Sequence, residues 1–464
     1  MAVLVLVVAG ISGTTVAIHI AIVLKRAVNF RSLIIGMYLL VFVASGIVHV
    51  GVLGGTNRGY VDLLAVSNRD TLSLPIWATA LGLAALCLGT LRSLRRDPKQ
   101  GYPSRNLAQL PKLGLFWSAI LLLPPTLFAL TQMNAFAESA VSDRIISLDG
   151  GMARFGFLSQ WFTWAVSFLA LWLVSTKCGR SVWRIALLLL GSIAAIVLSL
   201  SWTGGRAIAL MMCLPLILTF WPLLGRIRVL LAIGLAVTGA LYSAAITTAR
   251  TANYSLSDFG VGSAVDWELG RFSMMGFAQN YVEQNGLLWG ETLAAGILSV
   301  PFGILKILGL GGGLDLPRSI TEVSGQSILG SSSLTYVVPG MGAELYVNFG
   351  LVGTCLGFYL LGRAVSIVDG RFAAAEFIPL KFALAYVGVL LIFCTISSQS
   401  GAIFNYAFFT GLPVMIMLAV IRRGRLAMPG IDSPEALAAP YRESVSDLGS
   451  PTSNASHLIV KNRK

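Results

Sequence analysis

The stretch "RIALLLLGSIAAIVLSLSWTGGRAIALMMCLPLILTFWPLLGR", residues 184–226, carries three charges, Arg184, Arg206 and Arg226, and is otherwise uncharged. About 20 residues separate neighbouring arginines, and a helix of about that length crosses the roughly 30 Å of bilayer hydrocarbon. The stretch therefore predicts two membrane-spanning helices joined by a tight turn just before Arg206.

The composition extends this interpretation to the whole chain. Hydrophobic residues make up 56% and charged residues only 11% of the 464 residues, which is too much apolar surface for one soluble core. Alternating segments typical of a membrane barrel are absent from the sequence. We expect an all-α polytopic membrane protein with about eleven (ten to twelve) spanning helices. The predicted helices are 3–24, 33–53, 73–91, 113–131, 157–175, 185–203, 207–224, 229–249, 341–362, 382–398 and 402–421.

The charges predict the orientation of these helices. The net charge is +13, and most basic residues lie in alternate connections, so the positive-inside rule places the N-terminus outside and those connections in the cytosol. This distribution explains the positive charge without nucleic acid as a partner. Residues 1–425 then form the membrane domain, and residues 426–464 form a cytosolic tail whose composition predicts disorder.

Residues 250–340 form one large outer loop in this topology, and we expect function to concentrate there. Apolar residues at helical spacing within 265–286 predict an amphipathic helix on the membrane surface. Residues 291–310 are predicted to be interfacial or re-entrant, with a twelfth spanning helix as the alternative. Glycine, serine and threonine in 309–335 predict a flexible lid.

Arg206 lies on the outer face, where the positive-inside rule gives no reason for an arginine. Gly204 and Gly205 precede it in a turn whose amides begin the next helix. Such amides and a planar guanidinium both suit phosphate oxygens, so the turn is a candidate anion site. The alternative is an arginine that reaches the lipid headgroups.

The stretch "GMGAELYVNFGLVG", residues 340–353, places a carboxylate near the same surface. Glu344 lies in the first turn of a predicted helix, and Asn348 follows four residues later on the same face. Polar groups at this depth are costly unless they are paired or used. The alternative roles are a favourable helix-terminal charge for Glu344 and interhelical adhesion for Asn348.

Further outer charges are candidates for the same site. Arg250, Arg271 and Arg318 border or lie within the loop, and arginines gathered near one carboxylate would suit a pyrophosphate, although each also fits an ordinary surface charge. Asp266 and Glu268 form a pair that could bind a divalent metal, but such pairs on amphipathic helices are usually solvated, so we expect no metal site and no cofactor. Histidine occurs only at positions 19, 49 and 457, outside the loop.

Several of these elements together resemble the Wzy-type oligosaccharide repeat-unit (O-antigen) polymerases. The resemblance covers residues 185–362 and rests on the order of the TGGRA turn, "GRF" at 270–272, "WGETL" at 289–293, "LPRS" at 316–319 and "GAELYVNFGLVG" at 342–353. The family's pattern of an arginine followed by ten residues and a glycine is not matched, because Arg250 and Arg318 have glycine twelve positions on.

The resemblance implies a GT-C-like glycosyltransferase of the bacterial inner membrane with its active site facing the periplasm. Such enzymes transfer a growing glycan from undecaprenyl pyrophosphate onto a lipid-linked repeat unit, without a metal, in the synthesis of O-antigen, capsule or exopolysaccharide. Arg206, Arg271, Arg250 and Arg318 would then contact pyrophosphate, and Glu344 would act as the general base. Membrane lipids and a chain-length regulator are the further partners that the resemblance implies.

Two alternatives stay open. An O-antigen ligase shares the fold, but such ligases typically carry an outer-loop histidine, so a polymerase is preferred. A transporter or flippase of lipid-linked glycans would require charges midway through helices and broken helices in two matching halves.

Overall fold

The computed structural model describes residues 2–26, 28–52, 73–92, 161–176, 182–201, 206–234, 271–310, 316–329, 338–375, 378–397 and 399–416, with isolated positions at 120, 123–124, 127 and 419. Nearly all of these residues are helical, and none of them is in a strand. The described part of the chain is thus all-α, as predicted.

The helices are α1 (Ala2–Leu24), α2 (Phe30–Tyr38), α3 (Ser73–Leu91), α4 (Trp161–Thr176), α5 (Val182–Ser201), α6 (Arg206–Phe220), α7 (Phe272–Asn285), α8 (Glu291–Ile307), α9 (Ile320–Leu329), α10 (Met341–Ala374), α11 (Ile378–Ser397) and α12 (Ser400–Asn405). The helical path of α2 continues in wider π turns as far as Val52. Helix α12 likewise continues as a π turn through Thr410.

Four of the described segments are long and apolar enough to cross a membrane: Val3–Leu24, Phe30–Gly51, Ser73–Leu91 and Met341–Ala374. Their apolar faces include exposed side chains such as Leu4, Ile11 and Val352, as expected for helices that face lipid. The chain therefore has the features of a membrane-embedded protein. The predicted total of eleven helices and the tail at 426–464 involve residues outside the described ranges.

The predicted bounds of the first and third helices are confirmed almost to the residue. The other predicted helices in the described ranges shift by a few residues, except the one at 341–362, which extends to Ala374. The predicted end lies just before Arg363, but an arginine has a high helix propensity and does not by itself end a helix.

Helices α3 and α10 pack closely along their lengths. At their contact, a Cβ atom placed on Gly89 would overlap the Tyr359 backbone carbonyl oxygen and lie 3.2 Å from the Gly362 Cα atom, so only glycine permits this approach of the two backbones. Phe358 of α10 packs edge-on against Tyr38, with ring centroids 5.0 Å apart. These contacts place α10 in the middle of the described bundle.

A charged network fixes the end of α10 that lies away from Glu344. The Asp369 carboxylate accepts a hydrogen bond from the Phe30 backbone amide at 2.8 Å, and it pairs with Arg26 at 3.1 Å and Arg31 at 3.4 Å. All three charged side chains are buried. The start of α2 is thereby tied to α10.

Two predictions for the predicted outer loop are wrong over the residues that the structure describes. Helix α7 does not lie on a surface: its residues from Phe272 to Gln279 are all buried, and it packs against α3 and α10. The predicted lid at 309–335 contains the ordered helix α9, which buries Ile320 and Val323. Ser319 and Glu322 cap its first turn reciprocally, so this serine-containing segment begins a helix rather than a flexible loop.

The predicted interfacial segment at 291–310 forms one continuous helix, α8, which runs through Pro301. With 17 residues, α8 is shorter than the roughly 20 residues that usually span a bilayer. Gly296 and Gly303 of α8 contact Ser400 and Phe409, respectively, so α8 runs parallel to α12 and the turn that follows it. This packing brings the starts of α8, α10 and α12 together.

Candidate functional site

Glu344 is completely buried in the first turn of α10, and three donors surround its carboxylate. The Ser400 backbone amide donates to Oε2 at 2.7 Å, and the Ser400 hydroxyl donates to Oε1 at 2.7 Å. The Thr292 hydroxyl donates to Oε1 at 3.1 Å. A carboxylate enclosed in this way accepts hydrogen bonds from protein groups, which offset part of the cost of its burial.

Helix starts contribute to this environment. Thr292 is the second residue of α8, and Glu344 is the fourth residue of α10. The first turn of a helix carries partial positive charge, which favours a nearby carboxylate. The dipoles of α8 and α10 therefore both favour the negative charge of Glu344.

Asn348 extends the network by one helical turn. Its amide nitrogen donates to the Thr292 hydroxyl and to the Glu344 backbone carbonyl, both at 2.7 Å. Its amide oxygen accepts from the Gly290 backbone amide at 2.9 Å. The predicted shared face of Glu344 and Asn348 is thus confirmed, and both side chains bind the start of α8.

Helix α10 breaks directly after this face, at Gly350. Gly350 has φ 65° and ψ −158°, a conformation that residues with a side chain rarely adopt. The break releases backbone carbonyls that a continuous helix would use. Those of Val347 and Asn348 instead accept from the Leu288 and Trp289 amides, both at 3.1 Å, so the backbone before α8 replaces the missing helical turn.

The α8 and α12 backbones meet at Gly296. A Cβ atom on Gly296 would lie 2.7 Å from Ser400 Cβ and 2.8 Å from the Gly401 amide nitrogen. A side chain at this position would therefore push α12 away from α8. The absence of one allows Ser400 to reach Glu344.

Arg318 lies at the edge of the same region and forms a bidentate ion pair with Glu291. Its Nε atom is 2.9 Å from Glu291 Oε1, and its Nη2 atom is 3.1 Å from Oε2. The hydrogen bonds from Arg318 lower the pKa of the Glu291 carboxyl. The Arg318 side chain is 58% exposed, so the guanidinium is open to solvent although it is paired.

Arg271 immediately precedes α7, and its side chain is half-buried. Its backbone amide donates to the Val41 carbonyl at 3.3 Å. Its aliphatic stem packs on Gly340, where an added Cβ atom would lie 3.2 Å from Arg271 Cδ. Gly340 precedes α10 and accepts from the Glu344 amide, so Arg271 lies beside the turn that begins the Glu344 helix.

The structure thus brings together four of the predicted site residues: Glu344, Asn348, Arg271 and Arg318. Arg206 is the first residue of α6, as its place after a tight turn predicts, but its side chain lies outside the described part of the chain. The other candidates also lie outside the described residues: Gly204, Gly205, Arg250 and the pair of Asp266 and Glu268.

Sequence reasoning missed four participants: Gly290, Glu291, Thr292 and Ser400. The first three lie in the "WGETL" motif at 289–293, which supported the family resemblance but received no chemical role. Ser400 lies in "SSQSG" at 397–401, between two predicted helices. A serine at the start of a helix is a local signal, although it does not identify Glu344 as the partner.

This arrangement can hold a buried carboxylate in one orientation and present an exposed guanidinium nearby. In this conformation Thr292 and Ser400 cover the Glu344 carboxylate, so a substrate hydroxyl can reach it only if α8 or α12 moves. Comparison of the chain with protein-family models, with curated proteins and with solved structures finds no match. The Wzy-type resemblance therefore depends on the quoted motifs and their order.

Proposed function

We propose that this protein is a membrane-embedded glycosyltransferase that polymerises oligosaccharide repeat units carried on undecaprenyl pyrophosphate. The observation that supports this proposal best is the grouping of Arg271, Arg318 and Glu344, which the sequence resemblance assigns to one site, with Asn348, which helical spacing places on the same face as Glu344. They come from separate segments, and all are linked through the starts of α8 and α10.

In the proposed reaction, the acceptor sugar hydroxyl attacks the anomeric carbon of the growing glycan. The bond between that carbon and the diphosphate oxygen breaks, and the diphosphate leaves with the electron pair. The hydroxyl proton passes to Glu344, a general-base role that contributes about 10² to 10⁴ in rate where it applies. Arg271 and Arg318, together with Arg206 and Arg250, would neutralise the leaving diphosphate.

The enclosure of Glu344 adds a requirement to this proposal. The hydrogen bonds from Thr292 and Ser400 stabilise the carboxylate in the resting protein, and at least one must be exchanged for the acceptor hydroxyl. Substrate binding would then open the cover over Glu344, as ligand-induced loop and helix movements do in many enzymes.

Glu344→Gln tests the proposal with little change in shape. The amide oxygen can still accept from the Ser400 amide, and the hydroxyls of Ser400 and Thr292 can rotate to accept from the new amide nitrogen. Purified protein with lipid-linked repeat units in detergent should make long glycans, and E344Q should make none. Glu283→Gln, which removes an exposed carboxylate from α7, is the matched control and should retain activity. Long glycans from folded E344Q would exclude Glu344 as the base.

Two observations favour the alternatives. The break of α10 at Gly350, six residues after the buried Glu344, is a feature of transporters, although no matching second half is evident in the described residues. His49 packs against Phe272, with ring centroids 6.1 Å apart, so a histidine does lie beside the residue that follows Arg271, although it comes from the spanning segment Phe30–Gly51 and not from the outer loop in which a ligase typically carries it.

The assay that tests the polymerase also separates these alternatives. A transporter would move lipid-linked glycans across proteoliposomes and would make no longer chains in detergent. A ligase would transfer glycan only when its own acceptor is supplied, and it would not extend one repeat unit with another.

A further inference from the structure

Three consecutive residues at the start of α8 each bind a different residue of the candidate site. The Gly290 amide donates to Asn348, Glu291 pairs with Arg318, and the Thr292 hydroxyl donates to Glu344. Because the three positions share one short backbone segment, a displacement of Glu291 changes the geometry of its two neighbours. The exposed ion pair is thereby coupled to the buried carboxylate.

In the ion pair, the Glu291 carboxylate binds Arg318 in the way that a bound anion would. Both Glu291 oxygens accept from the Arg318 guanidinium, and Oε1 also accepts from the Arg318 backbone amide at 3.3 Å. A phosphate group presents the same pair of oxygens to a guanidinium fork. Glu291 therefore satisfies the donors that a phosphate would use.

The ion pair of Glu291 and the hydrogen bonds of Glu344 differ in strength. The side chains of Arg318 and Glu291 are 58% and 30% exposed, and exposed pairs of this kind contribute about 1 kcal/mol or less. The Glu344 hydrogen bonds are fully buried, where electrostatic interactions are stronger. A charged ligand in solution can therefore displace Glu291 more easily than a neutral hydroxyl can displace Thr292.

We propose that Glu291 occupies the anion-binding side of Arg318 in the ligand-free protein, and that a diphosphate displaces it and loosens the first turn of α8 over Glu344. This inference rests on the proposed function, because it takes the diphosphate as the ligand of Arg318. It explains how a covered general base becomes accessible only when the donor substrate is bound. Glu291 is then a positioning residue that makes exposure of Glu344 depend on the ligand.

The test is the binding of inorganic pyrophosphate and, separately, of farnesyl diphosphate to the purified full-length chain in detergent. Glu291→Gln should bind both probes about three- to fivefold more tightly than wild type, the factor that corresponds to removing up to about 1 kcal/mol of competition. Arg318→Gln should weaken binding. Glu283→Gln removes the same charge from α7 and should leave the affinity unchanged.

A second readout tests the coupling. Pyrophosphate should increase hydrogen exchange at the backbone amides of residues 290–294 in wild type, and E291Q should exchange faster without any ligand. Binding by wild type with no gain in E291Q would overturn the inference and leave the proposed function standing. Wild type that binds neither probe would overturn both. Tighter binding of farnesyl diphosphate than of pyrophosphate would indicate that the lipid-linked form is the ligand. Equal binding would indicate that the protein recognises the diphosphate alone. Either result, together with the gain in affinity of E291Q, supports the inference.

Discussion

Ser400 donates to both carboxylate oxygens of Glu344, through its backbone amide to one and through its hydroxyl to the other, each at 2.7 Å. The two residues are 56 positions apart in the chain. They meet because α10 and α12 begin at the same place. This contact joins the C-terminal part of the described bundle to the candidate site.

Ser400→Ala removes the hydroxyl donor and leaves the backbone donor in place. We expect a loss of about 1.5–3 kcal/mol in the free energy of unfolding, because a hydrogen bond to a buried charged group is lost. Thermal unfolding in detergent measures this loss. Ser299→Ala is the matched control, since the Ser299 hydroxyl donates only to the Gly296 carbonyl of its own helix. Equal melting temperatures for the two variants would contradict the proposed contribution of the Ser400 hydroxyl to stability.

Gly296→Ala places a methyl group against Ser400 and Gly401. We expect it to separate α8 from α12 and to lower stability by about 1–3 kcal/mol, as overpacking does elsewhere. Gly36→Ala is the control, because a Cβ atom there meets nothing within 4 Å. Alanine has the higher helix propensity, so the control should be neutral or slightly stabilising. A stable Gly296→Ala protein would mean that the two helices can separate at little cost.

Asp369→Asn tests the network at the other end of α10. The asparagine oxygen can still accept from the Phe30 amide, but its amide group faces Arg26 and Arg31 without negative charge. Leaving buried arginines uncompensated typically costs about 3–5 kcal/mol. The variant should therefore accumulate poorly in the membrane and unfold at a lower temperature, whereas Glu283→Gln should match wild type. Normal accumulation and stability would show that the network is dispensable for folding.

The pair of Glu291 and Arg318 should contribute to stability only while Glu291 is ionised. Its pKa lies below the ordinary carboxyl value because of the hydrogen bonds from Arg318. A lowered folded-state pKa gives stability that is present above the ordinary value and is lost as the pH falls through the lowered one. A double-mutant cycle of Glu291→Gln and Arg318→Gln should thus give a coupling of about 1 kcal/mol or less near pH 7, and the coupling should disappear as the pH falls through the lowered pKa of Glu291. A coupling that does not change with pH would show that the two side chains interact without charge.

The sequence predicted individual helices well where a long, continuous apolar run decides the structure. The runs at 3–24 and 73–91 are continuous and apolar, and the structure contains them as Ala2–Leu24 and Ser73–Leu91. The shared face of Glu344 and Asn348 also follows from helical spacing alone. The apolar runs and the shared face are local properties, because each depends only on residues that are close together in the sequence.

Predictions failed where packing decides the environment of a helix. Helix α7 was expected on a surface because polar residues accompany its apolar ones, yet α3 and α10 bury it from Phe272 to Gln279. Helix α9 was expected to be flexible, yet a capping box and two buried isoleucines hold it in place. In both segments tertiary contacts outweigh the composition that the prediction used.

By itself, the sequence determined that the chain is a helical protein of the membrane class, because apolar runs of helix-spanning length leave few other states in which their surface is removed from water. It also identified Glu344 as a polar group that needs a partner. Only the tertiary structure decided that the partners are Thr292 and Ser400 and that Glu291 binds Arg318. These contacts join residues far apart in the chain, and the spacing within any one helix carries no information about which other helix will begin beside it.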